Sequence, residues 1–87
     1  MDYPVKTTLQ LGMILQALRK ERNRTQRELA EASGLLQKSV SLLERSPERA
    51  TVRTLFSLLT ALDAEVVIRS RKGNGADGFR PADSEEW

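Results

Sequence analysis

Gln37, Lys38 and Ser41 sit at i, i+1 and i+4, a spacing that gathers an amide, an ammonium and a hydroxyl on one side of a helix. The set carries hydrogen-bond donors and acceptors but no nucleophile with a base beside it. A Gln amide can bond N6 and N7 of adenine together, and a Lys can donate to O6 or N7 of guanine. Ser39 falls at the edge of the same face, nearer to where a phosphate would lie. Catalysis fits the sequence poorly. None of the 87 residues is His or Cys, which removes the commonest general base, thiol chemistry, disulfides and the usual zinc ligands. No two carboxylates share an apolar pocket pattern. Neither an enzyme nor a bound metal or cofactor is expected.

The charge distribution agrees with a polyanionic partner. Residues 1–72 hold 13 Lys/Arg against 8 Asp/Glu, whereas residues 73–87 hold Arg80 against Asp77, Asp83, Glu85 and Glu86. A basic body with an acidic tail suits nucleic acid, although a solubilising surface would have the same composition. No apolar run is long enough to span a membrane, and Met1 to Thr8 lacks a signal-peptide layout, so a cytoplasmic, nucleoid-associated protein is expected.

The elements that must position those side chains are helices. Leu11, Leu15 and Leu18 recur at i, i+4 and i+7, predicting a first helix over about Thr8 to Arg22. Its basic end, Arg19 to Arg24, suits the negative end of the helix dipole. Thr25-Gln26-Arg27-Glu28 reads as a capping box opening a second helix that buries Leu29 and Ala30. Gly34 suits the left-handed residue that ends it. A third helix over Gln37 to Arg45 turns Val40 and Leu43 inward and stops at Ser46-Pro47. Thr51 caps a fourth, with Leu55, Leu58, Leu59 and Leu62 on its core face and Phe56 adding apolar surface nearby.

Glu65 to Arg69 encloses three β-branched residues, Val66, Val67 and Ile68, and reads as a short strand. A lone strand cannot satisfy its backbone, and the chain offers a partner only in the segment near Tyr3 to Val5, so pairing with the same strand of a second copy, as a C2 homodimer, is the economical solution. Extension of the fourth helix into the core is the alternative. An N-terminal arm (1–8), a folded domain (9–71) and a flexible acidic tail (72–87) follow from composition. Trp87 on that tail is either an accident or a docking anchor for a partner.

The second helix, the Gly34 turn and the third helix together make a helix-turn-helix, in which the first helix crosses the phosphate backbone and the second enters the major groove. Gln37, Lys38 and Ser41 then face base edges. Thr25, Gln26, Arg24, Arg27 and Ser39 face phosphates, Gln26 at the free N–H groups that open the second helix. Lys20 and Arg22 add charge nearby. Leu36 stands where an N-cap Ser or Thr is usual. It and Leu42 are free either to touch a thymine methyl or to pack against the core or a dimer mate.

Residues 9–63 resemble the Xre/Cro-type helix-turn-helix family through Leu11, Leu15, Leu18, Arg19, Thr25-Gln26, Leu29-Ala30, Gly34, Val40, Leu43-Glu44 and Leu55. The resemblance implies a mainly α, lambda-repressor-like bundle of four to five short helices. It also implies an Arg–Glu pair between the first helix and the end of the recognition helix, which falls on Arg19 and Glu44. The helix-turn-helix, the short strand and the tail ending Glu86-Trp87 are together similar to the HipB antitoxins. That likeness implies a homodimer with a two-stranded β-lid from Val66 to Ile68, repression of its own operon through double-stranded DNA, binding of a HipA-type kinase toxin, and a tail whose Trp87 docks on that toxin or which marks the protein for proteolysis. A free-standing repressor without a toxin, or an interaction module that no longer reads DNA, would share the same domain.

Overall fold

The computed structural model describes residues 2–70. Four α-helices are present: α1 (Thr8–Glu21), α2 (Gln26–Ser33), α3 (Gln37–Arg45) and α4 (Val52–Ala61), with a single 3-10 turn, Pro47–Arg49, between α3 and α4. Their ends follow local chemistry. Thr7 accepts from the Gln10 N–H at 3.1 Å and Thr51 from the Thr54 N–H at 3.1 Å. At α2 the capping box is complete: Thr25 Oγ1 accepts from the Glu28 N–H (3.1 Å), and Glu28 Oε1 accepts from the Thr25 N–H (2.8 Å). Gly34 closes α2 at φ +73, a left-handed conformation that a side chain would strain. Ser46 ends α3, since Pro47 disfavours a helical residue before it.

The core is one apolar cluster. Leu15 of α1, Leu29 and Ala30 of α2, Val40 and Leu43 of α3, and Leu58, Leu59 and Leu62 at α4 are buried, with Leu11, Leu18, Leu35 and Leu55 packed around them. α3 lies against both α1 and α2, while α4 closes the other side of α2. Each buried leucine contributes about 1.5–3 kcal/mol relative to exposure. The arrangement leaves one side of α3 free.

Two features around α4 bear on the sequence reading. Phe56, the apolar surface beside the core face of α4, is 51% exposed. It follows Leu55 by 100° of helical turn, which carries it past the apolar stripe onto the outer face. α4 also does not run on into Val66–Ile68: Leu62 caps it, and Asp63 at φ +55 breaks the helical path. Glu65 to Arg69 forms neither helix nor ladder among the described residues. Val66, Val67 and Ile68 are 51%, 63% and 92% exposed. The acidic tail and Trp87 lie outside the described residues. Among those described, no helix is long and apolar enough to cross a membrane.

The capping box makes stability depend on acid. Hydrogen bonds from the Thr25 backbone and hydroxyl hold the Glu28 carboxyl below the ordinary glutamate range. A depressed acid in the folded state contributes stability that is complete above its unfolded pKa and fades as pH falls through the lowered value. The melting temperature of Glu28→Gln should therefore lie below wild type at neutral pH, and the gap should narrow in acid. A gap that stayed constant from neutral pH to about pH 3 would show that the charge of Glu28 has no part in the cap.

Candidate nucleic-acid interface

The site is built on a buried polar joint behind α3. Arg19 Nε donates to Glu44 Oε2 at 2.7 Å and Arg19 Nη2 to Glu44 Oε1 at 3.2 Å, a two-pronged pair linking α1 to the end of α3. The third guanidinium nitrogen, Nη1, donates to the Arg24 carbonyl at 2.8 Å, pinning the turn between α1 and α2. Gln26 Nε2 donates to Glu44 Oε1 at 3.1 Å, so the first residue of α2 joins the same carboxylate. The Arg19 and Glu44 side chains are 11% and 3% exposed. One carboxylate therefore orients α3 against both helices packed on it.

Gly12 lets this joint close. It is buried on α1, and a Cβ built there would overlap the Glu44 carbonyl oxygen, with Pro47 Cδ at 3.4 Å. Without a side chain, α1 approaches the backbone at the end of α3 closely enough for Arg19 to reach Glu44.

The outward side of α3 is polar. Gln37 and Lys38 are exposed, and Ser39 and Ser41 are half-buried. Arg45, one turn beyond Ser41, is exposed in the same direction. At the neighbouring end of α2, the Thr25 hydroxyl is engaged with Glu28 in the capping box. Arg24 and Arg27 are exposed, as are Lys20 and Arg22. Among the described residues there are two ion pairs, Arg19–Glu44 and Asp2–Arg69. Lys20, Arg22, Arg27, Lys38 and Arg45 form no ion pair with another described residue, and Arg24 lies near enough to Glu28 to lower its carboxyl. No described cluster of carboxylates offers a metal site.

The structure thus brings Arg19, Glu44 and Gln26 into contact and leaves Gln37, Lys38, Ser41, Arg24 and Arg27 facing outward. Three features escaped the sequence reading. The tie from Gln26 to Glu44 had no local signal. Arg45 had one, its i+4 spacing from Ser41. Gly12 also had one: an isolated glycine inside a helical pattern marks a close approach.

A capped short helix, a left-handed glycine and a second helix with a free polar face define a helix-turn-helix protein. The sequence pattern of the helix-turn-helix family matches residues 15–67, and the chain belongs to that family. Within it, the chain is similar to the antitoxin HipB of Escherichia coli K12, 28% identical over 78 residues that span 90% of this chain and 88% of HipB. HipB of E. coli O6:H1 is 27% identical over 78 residues, 90% of this chain and 82% of that one. A chain of a solved HipA–HipB–O2–O3 complex superposes with a TM-score of 0.76 at 27% identity, covering 82% of this chain and all of that chain. A chain of a HipB–O4 20mer complex gives the same figures.

Proposed function

We propose that this protein is a sequence-specific DNA-binding antitoxin that represses its own operon in the cytoplasm and nucleoid. It binds an inverted-repeat operator as a homodimer and holds a HipA-type kinase toxin. The observation that carries the reading is the free polar and cationic face of α3, braced from behind by the Arg19–Glu44–Gln26 joint. On this reading Gln37, Lys38 and Ser41 meet base edges in the major groove. Arg24, Arg27, Thr25, Ser39 and the first N–H groups of α2 hold phosphates, with Gln26 offering its second amide proton there. Arg45 extends the same face toward the far end of the groove.

Dimerisation is supported by Val66, Val67 and Ile68, three exposed β-branched residues with no ladder among the described residues. Pairing two copies gives each strand the partner its backbone requires. Phe56 and Val66 flank a shallow cleft lined also by Leu59, Thr60 and Ala64, apolar surface that a mate would cover. The toxin half of the proposal rests on similarity to HipB over 90% of the chain. Trp87, which follows Glu86, is assigned the docking role.

The test is selection of duplexes from a random-sequence library with the full-length chain. The expected product is an inverted repeat with half-site centres about one DNA turn, roughly 34 Å, apart. Lys38→Ala should then relax preference at one base pair of each half-site, with a loss of about 1–3 kcal/mol for the preferred base. Equal weakening on every duplex would make Lys38 a phosphate ligand instead. No enrichment at low salt would remove the DNA-reading proposal. A neighbouring reading frame with no kinase-like product would remove the toxin half and leave operator binding standing.

A further inference from the structure

Leu36 is the residue beside the groove face that folding does not explain. It is the N-cap of α3, at φ −79 and ψ 149, and its side chain makes no capping hydrogen bond. Ser, Thr, Asp or Asn would accept one there, and leucine is among the poorest choices. Nor does it serve the core, being 63% exposed. Neighbouring side chains along extended backbone point to opposite sides. Leu35 packs on the apolar cluster, and Leu36 therefore faces away from it. Its carbonyl accepts from the Ser39 and Val40 N–H groups at 2.9 and 3.3 Å, which fixes Leu36 to the first turn of α3. The result is a held apolar projection immediately ahead of Gln37 and Lys38.

We propose that Leu36 is a specificity residue that packs on the C5-methyl group of a thymine in the major groove, an inference resting on the DNA reading proposed above. Thymine alone among the four bases displays a methyl there, so an apolar side chain carried in with the start of α3 distinguishes it without a hydrogen bond. Covering one methyl is worth roughly fourfold in affinity, from the transfer free energy of a single carbon group. A two-fold operator engages Leu36 twice, so paired changes compound to roughly fifteenfold.

The experiment uses the duplex recovered by selection and replaces each thymine in turn by deoxyuridine, which deletes the methyl and leaves base pairing intact. Fluorescence anisotropy with the full-length chain should find one thymine per half-site whose replacement weakens binding roughly fourfold. Leu36→Ala should be indifferent to that same replacement. Leu36→Ser supplies the missing cap hydroxyl, so its melting temperature should rise while methyl discrimination is lost, which separates recognition from folding. If Leu36→Ala keeps the wild-type response to deoxyuridine, the assignment of Leu36 is wrong. If no thymine in the selected duplex responds, this inference alone falls. If no sequence is enriched at all, the DNA-reading proposal falls and takes this one with it.

Discussion

Glu44→Ala is expected to lower the unfolding free energy by about 3 kcal/mol, measured by urea or thermal denaturation, because it strands a buried guanidinium. Arg19 has two of its nitrogens on Glu44 and one on the Arg24 carbonyl. With the carboxylate gone, Nε and Nη2 lose their acceptors in a setting only 11% exposed, and Gln26 Nε2 loses its own. A domain of this length holds only some 4–13 kcal/mol in total, at about 0.05–0.15 kcal/mol per residue, so the loss is a large fraction of it. Replacing both charged groups with apolar residues of similar volume, Arg19→Met with Glu44→Leu, should recover most of that stability, since desolvating the pair offsets much of its attraction. DNA binding by the double variant should nonetheless stay weakened. The joint orients α3 against α1 and α2, and apolar packing does not reproduce its directional bonds. A single Glu44→Ala loss below about 1 kcal/mol would mean that water reaches Arg19 and the joint is a surface feature.

The parts of this fold legible in the sequence are those whose cause is local. The Thr25–Glu28 box, the Gly34 stop and the Ser46-Pro47 break each depend on residues within a few positions, and each marks a helix end in the structure. Leucine spacing likewise identifies the buried faces of α1 and α4, though it does not say where Phe56 falls once the stripe is filled. What could not be read depends on how helices meet. The bond from Gln26 to Glu44 spans 18 residues, and nothing near either residue announces it. The segment from Glu65 to Arg69 shows the reverse case. Its β-branched composition is plain, but no ladder partner for its backbone stands among the described residues. The groove face is intermediate. Its polar character is visible in the spacing of Gln37 and Ser41, while the exposure of Leu36 depends on Leu35 taking the core side of the turn.

Gly12→Ala should destabilise the protein by about 2 kcal/mol, the opposite sign to the usual exchange. In an exposed helix interior, alanine in place of glycine gains about 0.5–1 kcal/mol through reduced backbone entropy. Here the added Cβ meets the Glu44 carbonyl oxygen, and the Glu44 carbonyl carbon lies 3.1 Å from it. That neighbour is backbone at the end of α3, two residues before the Ser46-Pro47 break, and cannot rotate aside as a side chain would. α1 and α3 must move apart, which pulls Arg19 away from Glu44 and opens the contact with Pro47. Overpacking of this kind costs about 1–3 kcal/mol, enough to outweigh the entropic gain. For a domain this small, the melting temperature should fall by roughly 8–16 °C. A rise instead would show that the two helices approach less closely than Gly12 permits. Binding to the selected duplex, measured well below that melting point, should also weaken, because the same displacement tilts Gln37, Lys38 and Ser41 relative to the phosphate contacts proposed for α2. A variant that lost stability but kept full affinity would place the orientation of α3 in the α2 contact and the Gln26 bond rather than in the approach of α1.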